Sequence, residues 1–295
     1  MTNTAPPPAP AVLHYTAFSA SPEGGNGAGV VLDAAGLGDQ EMVGIAAELG
    51  YSETAFLTPG PDPQGDPKDK RSFTLRYFSP RAEVDFCGHA TVAAAVALGE
   101  QFGTGDLDFH TAAGRVPVTV RREDGVLKAT LTSVEPRVHE AAREDVEEAL
   151  AALGWQAGEL DQGLPPRIAF AGVRHLVLAA ATRDRLADLD YDFDALLTLM
   201  RRLDLTTVQL VWRENETTFH VRDPFPVGGV VEDAATGAAA AAFGAYAREL
   251  GLVPDDAHLT LHQGHDMGRP SLLEIDLRAG DRRVRVSGAA VRLQC

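Results

Sequence analysis

The chain has 295 residues, 45% of them hydrophobic, and a formal net charge of −16 from 26 basic and 42 acidic side chains. This length and hydrophobic content predict a globular protein of about two domains. The negative charge argues against nucleic acid or an anionic membrane as a partner, because both attract a basic surface, and no apolar run reaches the roughly 20 residues of a membrane span.

The N-terminal segment is rich in proline and alanine and has neither basic residues nor an apolar run. It predicts a disordered tail over residues 1–11 rather than a signal peptide. The ordered chain is expected to start near Val12 with a strand, followed by a glycine-rich turn from Gly24 to Gly29. Because residues 30–32 are apolar and strand-like, this turn is expected beside a ligand or another backbone, and not as a phosphate-binding or dinucleotide-binding loop.

Asp39 is predicted to cap a helix that ends at Gly50. Glu53 then lies between this helix end and an apolar segment, residues 55–57. A carboxylate in such a place is either a solvated loop residue or a group held at the rim of a cleft, and its position alone leaves both interpretations open. An exposed loop is expected over 58–71 and a half-buried strand over 73–77.

Two alanine-rich stretches, 86–99 and 230–251, resemble each other. Both have a glycine at the head, Gly88 or Gly237, and neither offers a polar face for about three turns, which predicts buried helices. The two glycines are 149 residues apart (237 − 88), close to half of the chain. This spacing favours two halves built alike.

The remaining chain predicts more strands than helices. Helices are expected over 140–153 and 193–203, and strands over 107–111, 116–122, 126–131, 168–171, 175–178, 208–212, 217–221, 259–261, 272–277 and 284–291. The expected fold is α+β, with sheets surrounding central helices. The predicted domains are an N-terminal lobe of 12–122 plus 281–295 and a C-terminal lobe of 123–280.

The two helix starts carry the candidate chemistry. Each glycine-led N-terminus exposes backbone N–H groups with about half a positive charge, which can bind a carboxylate or a phosphate. His89 stands in the first helix start, where the helix field favours the neutral imidazole of a proton shuttle, although a capping or core histidine fits equally well. Asp233, ahead of Thr236, is either a helix cap or a site residue, and both roles can coexist.

The chain also resembles the PhzF phenazine-biosynthesis family, which has the diaminopimelate-epimerase fold. The matching blocks are spread over nearly the whole ordered chain: Gly25-Asn26-Gly27 with Val30-Val31, residues 49–56, 87–91 and 232–237, Gln263-Gly264 with 267–271, and Val286-Ser287-Gly288. The resemblance implies two similar lobes, each a strongly bent, barrel-like, mostly antiparallel sheet around a central helix. It places the active cleft between the lobes.

The resemblance further implies that Glu53 is the general acid/base, with His89 and Asp233 as polar partners. Substrate contacts are expected from Asn26, Cys87, Gly88, Thr236, Gly237 and Ala238. The implied reaction is a proton shift that moves a double bond in a small cyclic or amino-acid-like carboxylate, without a cofactor, in a protein that is expected to form a homodimer. The family has a serine where this chain has Ala238, so a hydroxyl hydrogen bond to the substrate is missing and the phenazine precursor itself is not the predicted substrate.

Three alternatives remain. One is a racemase of the same fold that uses two thiols. The chain has only two cysteines, Cys87 and Cys295, and it has Ala234 and Ala235 where the second thiol would lie. Cys87 is therefore expected to be a buried apolar residue. Two cysteines also fit a reducing, cytoplasmic compartment. Another alternative is a non-catalytic protein that binds a carboxylate metabolite. The third, a metal site at His258, His262 and His265, is not expected, because no carboxylate or thiol lies at ligand spacing.

Overall fold

The computed structural model describes residues 10–61 and 71–294. The described helices are α1 Asp39–Leu49, α2 Gly88–Phe102, α3 Arg143–Leu153, α4 Arg183–Ala187, α5 Phe193–Leu203 and α6 Gly237–Glu249. The described strands are β1 Leu13–Ala17, β2 Asn26–Val31, β3 Glu53–Pro59, β4 Ser72–Phe78, β5 Glu83–Val84, β6 Gly105–Thr111, β7 Gly114–Glu123, β8 Val126–Thr132, β9 Arg137–Glu140, β10 Arg167–Phe170, β11 Arg174–Ala179, β12 Thr207–Arg213, β13 Thr218–Pro224, β14 Glu232–Asp233, β15 His258–Gln263, β16 Ser271–Arg278 and β17 Asp281–Arg292. None of the helices in these residues is long and apolar enough to cross a membrane.

The order of elements repeats along the chain. In the first half, β2 pairs in parallel with β3 and β4 with β6, and α2 follows the two-residue strand β5. In the second half, β11 pairs in parallel with β12 and β13 with β15, and α6 follows the two-residue strand β14. The other strand pairs are antiparallel. This repetition confirms the expected α+β fold with two similar lobes.

Helices α2 and α6 are the cores of these lobes. Residues 89–99 of α2 are all buried, as are residues 239–247 of α6, so the expectation of two buried alanine-rich helices is confirmed. Small side chains let the sheets approach the helix backbones. A Cβ added to Gly99 would lie 2.8 Å from Cγ1 of Val120, and one added to Gly244 would lie 2.8 Å from Cγ2 of Ile275.

Strand β17 joins the two lobes. It pairs with β1 and β8, which pack on α2, and with β16, which packs on α6. The predicted boundary at residue 122 falls inside β7, whose partner β8 also lies beside α2. The division of the chain at residues 122 and 280 stays a prediction.

Several local expectations need correction. Helix α1 is capped by Gly38 and not by Asp39, and the N–H of Gly38 donates to Oε2 of Glu41 at 2.8 Å. The glycine-rich turn is shorter than expected, because β2 already starts at Asn26. Strands β5, β9 and β14 and helix α4 were not predicted, since elements of two to five residues carry no readable periodicity. The predicted tail and the tip of the 58–71 loop lie largely outside the described residues.

Candidate active site

The starts of α2 and α6 meet where the two lobes touch. A Cβ added to Gly88 would lie 3.5 Å from Cα of Gly237 and 3.7 Å from the backbone nitrogen of Ala238. Neither helix is capped by the side chain of its N-cap residue, Cys87 or Thr236. The partial positive charges of both helix N-termini therefore face the same small volume, as expected for a site that binds an anion.

Glu53 lies next to this meeting point, as the first residue of β3 and opposite Ala28 of β2. Its side chain is 14% exposed. Oε2 lies 3.4 Å from Nε2 of His89 and 3.5 Å from Sγ of Cys87. Burial raises the pKa of the Glu53 carboxyl group, and hydrogen bonds from Ser52 and Cys87 oppose part of that rise. Glu53 is thus a carboxylate at the rim of a cleft and not a solvated loop residue.

His89 lies fully within the site. Its Nδ1 is 3.2 Å from the amide nitrogen of Asn26, and its Nε2 is 3.3 Å from Oγ of Ser52. The Asn26 amide nitrogen has two protons and also lies within hydrogen-bond distance of Oδ1 of Asp233 and the backbone oxygen of Ala235. If it donates to Nδ1, the imidazole proton lies on Nε2, which faces Ser52 and Glu53. Burial lowers the pKa of His89, and the charge of Asp233 opposes part of this lowering. A lowered pKa favours the neutral imidazole, as expected from the sequence. The main cause is burial and not the field of the helix.

Asp233 does not cap α6. Its Oδ1 accepts a hydrogen bond from the Asn26 amide at 2.7 Å, and its Oδ2 accepts one from Oγ1 of Thr236 at 2.6 Å. The backbone N–H of Thr236 instead donates to Oε1 of Gln263 at 2.9 Å. Burial raises the pKa of Asp233, and the charge of Glu53 adds to that rise, while His89, Thr236 and Asn26 oppose it.

Gln263 is a site residue that the sequence reasoning missed. Besides its bond from Thr236, its amide nitrogen donates to the backbone oxygen of Asp233 at 2.8 Å and to Oγ1 of Thr236 at 3.0 Å. It therefore fixes the turn that carries Asp233 into α6. The only signal for it was its place in the matching block Gln263-Gly264, because glutamine on a strand carries no chemical signature of its own.

Cys87 is buried, 8% exposed, and is the one free cysteine among the described residues. Sγ lies 3.3 Å from Nδ1 of His89. Burial and the charge of Glu53 raise the pKa of the thiol well above its usual value, which disfavours the thiolate that a thiol base requires. In the second lobe, Ala234 and Ala235 are buried at the place considered for a second thiol.

A cavity of about 750 Å³ opens from this cluster. Of the predicted site residues, Glu53, Gly237 and Ala238 line it, whereas Asn26, Cys87, Gly88, His89, Asp233 and Thr236 are not among its lining residues. Most of the wall is apolar, with side chains from both lobes: Val84, Phe86, Val116, Leu131, Val134, Phe170, Val173, Phe225, Val284 and Val286. Arg115 and Arg283 also line it and are paired with Asp108 and Asp281. The cavity therefore offers two carboxylates, Glu53 and Asp85, and the start of α6 in a mainly apolar space.

Comparison with known proteins identifies the family of the chain. The family model for "phenazine biosynthesis-like protein" matches residues 15–294. The chain belongs to this family. It is 31% identical over 296 residues to the uncharacterized isomerase YddE of Escherichia coli strain K12, covering 96% of each chain, and 30% identical over 286 residues to a trans-2,3-dihydro-3-hydroxyanthranilate isomerase of Pseudomonas chlororaphis, covering 94% of this chain and 96% of that one.

Solved structures agree with this assignment. A predicted epimerase of Pseudomonas aeruginosa superimposes with a TM-score of 0.84 at 29% identity, covering 97% of this chain and 98% of that one. A PhzF-family protein of Bacillus anthracis superimposes with a TM-score of 0.82 at 25% identity, covering 96% of each. A probable proline racemase of Agrobacterium radiobacter, at 14% identity and a TM-score of 0.66 over 96% of this chain and 90% of that one, shares the fold. By its family the chain is an isomerase.

His258 and His262 lie on β15, and His265 follows this strand. His258 contacts a carboxylate, with Nδ1 3.2 Å from Oδ1 of Asp276. The ring of His265 instead meets those of His262 and His220 edge to face, and the rings of His262 and His220 are tilted against each other, at ring-centroid distances of 5.0–6.2 Å. His220 comes from β13, a neighbouring strand, so the chain order gave no indication of its place in this cluster.

Proposed function

We propose that the protein catalyses a cofactor-independent proton shift on a small cyclic or amino-acid-like carboxylate, with Glu53 as the acid and base. The observation that carries this proposal is a carboxyl group of raised pKa on the wall of a mostly apolar cavity, next to two facing helix starts. A carboxylate removed from water is a stronger base, and its acid can hold a proton near neutral pH.

In the proposed mechanism, the substrate carboxylate binds against the helix starts at Gly88 and Gly237. Their backbone N–H groups stabilise the negative charge that develops on the substrate as its C–H bond breaks. Glu53 takes the proton from carbon and returns it to another carbon of the same molecule, so the double bond moves and the atoms balance. One carboxyl group can thus perform both transfers.

His89 and Asp233 act on this carboxyl group in different ways. Nε2 of His89 lies 3.4 Å from Oε2 of Glu53, and in the tautomer with its proton on Nε2 the ring can orient this carboxyl group. Asp233 holds the Asn26 amide, whose nitrogen in turn contacts Nδ1 of His89. We infer that Asp233 and Asn26 fix the tautomer of His89, which keeps its proton directed at the base.

The substrate body is proposed to be apolar or cyclic, because Phe86, Phe170 and Phe225 line the cavity. The relative from Pseudomonas chlororaphis is named for a hydroxyanthranilate substrate, which is a carboxylate on a ring. This chain has Ala238 at the cavity wall and so offers no hydroxyl group there. We therefore propose a related ring or amino-acid-like acid and not that compound.

A screen of small carboxylic acids in heavy water tests the proposal. The expected result is a mass increase of one or more deuterons in at least one cyclic or amino-acid-like acid, which Glu53→Gln slows by about 10²- to 10⁴-fold, the usual contribution of a general acid or base. Glu53→Gln keeps the side-chain shape and removes the base. Exchange retained at the wild-type rate in this variant would exclude Glu53 as the base.

Two other functions predict different results. A thiol racemase would lose racemisation in Cys87→Ala, whereas the proposed mechanism predicts that exchange persists in this variant. A non-catalytic binding protein would bind a small acid equally well with and without Glu53 and exchange no proton in either form. A cytoplasmic location and a homodimer are further proposals, which fractionation and the mass in solution can test.

A further inference from the structure

One loop of the second lobe holds a turn of the first lobe. The loop covers residues 264–270 and joins β15 to β16, which packs on α6. Near its end, Nε of Arg269 donates to the backbone oxygen of Gly25 at 3.1 Å, and Nη2 donates to that of Gly24 at 2.9 Å. Both glycines lie in the turn between β1 and β2, two strands that pack on α2. The Arg269 side chain therefore links the two lobes at this turn.

Arg269 directs its positive charge at backbone groups and not at a carboxylate. Within residues 10–61 and 71–294 it forms no ion pair, and its other side-chain hydrogen bond runs from Nη2 to Oγ1 of Thr16 at 3.3 Å. The hydroxyl group of Thr16, which is fully buried, donates in turn to the backbone oxygen of Gly24 at 2.6 Å. Hydrogen bonds from a charged donor are stronger than those between neutral groups. These contacts indicate that Arg269 fixes the path of the turn.

The turn consists of residues that do not hold a conformation by themselves. Gly24 and Gly25 are consecutive, and glycine restricts its own backbone less than any other residue. A Cβ added to Gly24 would lie 2.3 Å from the backbone oxygen of Pro270, so glycine is required for the loop to approach this closely. The N–H of Gly25 donates to the same oxygen at 3.0 Å. Arg269 and Pro270 thus bind both carbonyl groups and one N–H group of the turn.

The next residue along the chain is Asn26, which belongs to the site. The backbone oxygen bound by Nε of Arg269 is part of the peptide group that joins Gly25 to Asn26. The amide nitrogen of the Asn26 side chain lies 2.7 Å from Oδ1 of Asp233 and 3.2 Å from Nδ1 of His89. A shift of this peptide group would therefore move the amide relative to both partners.

The same region of the chain also holds the other side of this contact. Gln263, directly before the loop, donates to the backbone oxygen of Asp233 at 2.8 Å. We propose that Arg269 is a positioning residue for the reaction, because its bonds to the turn set the distance between the Asn26 amide and Asp233. The inference rests on the proposed function, in which Asp233 and Asn26 fix the tautomer of His89.

A double-mutant cycle between Arg269 and Asn26 tests this inference. With the acid found in the screen, Arg269→Ala should lower kcat by about 10- to 100-fold, because a displacement of about 1 Å can cost about 100-fold in rate. KM should stay nearly unchanged, since the substrate carboxylate is proposed to bind to backbone N–H groups of the helix starts. In an Asn26→Ala background, Arg269→Ala should cause no further loss, because its effect passes through Asn26. Additive losses, or a loss that appears in KM alone, would overturn the proposal.

Arg248 provides the matched control. It lies near the end of α6, where Nη1 donates to the backbone oxygen of Asp281 at 2.9 Å and Nη2 donates to that of Arg282. Arg248→Ala removes a similar pair of bonds roughly 16 Å along the helix from Gly237, so it should lower Tm while kcat keeps its wild-type value. An equal loss of kcat in both variants would show that Arg269 acts only through stability, which would overturn the proposal. Should Arg269→Ala fail to fold, Arg269→Lys keeps the charge without the planar fork of donors and should lower kcat in the same way.

A spectroscopic measurement tests the positioning without turnover. The proton–nitrogen NMR resonances of the Asn26 side-chain amide are assigned by their absence in Asn26→Ala. They should shift in Arg269→Ala and keep their wild-type positions in Arg248→Ala. Unchanged resonances in Arg269→Ala would overturn the positioning role. If no acid exchanges a proton in the wild-type protein, the proposed function fails, and these resonances still decide whether Arg269 places Asn26.

Discussion

The two halves of the molecule repeat their elements but differ at the first residue of one strand. This strand is β3 in the first half, which pairs in parallel with β2, and β12 in the second half, which pairs in parallel with β11. In the first half this residue is Glu53, opposite Ala28. In the second half it is Thr207, opposite His175. Glu53 reaches the cavity, whereas Thr207 is fully buried, donates to Oδ1 of Asp223 at 2.7 Å and lies 2.8 Å from Nδ1 of His175. The repeated fold thus holds a candidate base in one lobe and a closed polar network in the other.

The two helix starts show the same division. The residue after the glycine is His89 in α2 and Ala238 in α6. The first start therefore places a titratable ring beside Glu53, and the second leaves only backbone N–H groups at the cavity wall. Under the proposed function, the first lobe supplies the proton-transferring groups, and the second supplies only backbone N–H groups for binding negative charge. The following predictions test whether this division holds.

The largest expected effect comes from moving the base. Glu53→Asp keeps the charge but withdraws the carboxylate by one methylene group, and a displacement of about 1 Å can cost about 100-fold in rate. The matched variant Thr207→Ser removes one methyl group at the corresponding place and should change the rate by less than about threefold. Both rates are measured by solvent hydrogen exchange on the acid found in the screen. Equal losses in the two variants would mean that chemistry is not confined to the first lobe.

The next effect concerns the close approach of each sheet to its central helix. Gly244→Ala should destabilise the protein by about 1–3 kcal/mol, because overpacked core sites cost this much and the new Cβ would lie 2.8 Å from Ile275 and 2.9 Å from Val284. Gly99→Ala, with 2.8 Å to Val120, should do the same in the other lobe. Denaturant unfolding measures both.

Gly44 provides the matched control for this pair. It lies in α1, and a Cβ there would meet no atom of the described structure within 4 Å. Gly44→Ala should therefore stabilise the protein by up to about 1 kcal/mol, the difference in helix propensity between the two residues. A central glycine that tolerates alanine as well as Gly44 does would show that its sheet can move outward, and the lobes would then differ in packing as well as in chemistry.

A smaller effect, dependent on pH, is expected at Asp223 behind the second helix start. Burial raises its pKa well above the usual value. Below about pH 4 the carboxyl is protonated in both the folded and the unfolded state. As the pH rises above that value, the unfolded state loses the proton while the folded state keeps it, so the wild-type protein loses stability up to the folded pKa. Asp223→Asn should remove this loss and raise Tm more at pH 7 than at pH 4.

Asp281 is the control of opposite sign. Its pKa is lowered, chiefly by the hydrogen bond from Arg283. Its contribution to the stability of the fold is therefore present above the pKa of the unfolded state and is lost as the pH falls through the pKa of the folded state. Asp281→Asn should therefore lower Tm at pH 7 and have little effect in strong acid. If both variants shifted Tm in the same direction at pH 7, the loss of stability with rising pH could not be attributed to the buried carboxyl group of Asp223.

The sequence predicted the buried helices and the approximate strands because those features depend on local composition. Eleven consecutive buried residues of α2 contain no charge, and this pattern can be read directly. Resemblance to a family added Glu53, His89 and Asp233 as a group. Neither route assigned a role to Gln263, to His220 or to the Thr207–Asp223 network, because these contacts join residues 16 to 42 positions apart on different elements. The contact of Asp233 with Asn26, 207 residues away, is of the same kind.

The smallest expected effect is at Ala238, where the chain departs from its family. Ala238→Ser places a hydroxyl group on the cavity wall beside the facing helix starts. A single added hydrogen bond contributes about 0.5–1.5 kcal/mol, so KM for an acid with a suitably placed polar group should fall by about 2- to 10-fold, while an acid without one should be bound no better. Ala241→Ser makes the same change one turn further along the cavity wall and should not discriminate between these acids. Discrimination by Ala238→Ser alone would show that the second helix start determines which acid binds and leaves the proton transfer to Glu53. Equal effects of both serines would instead mean that the hydroxyl changes only the polarity of the cavity.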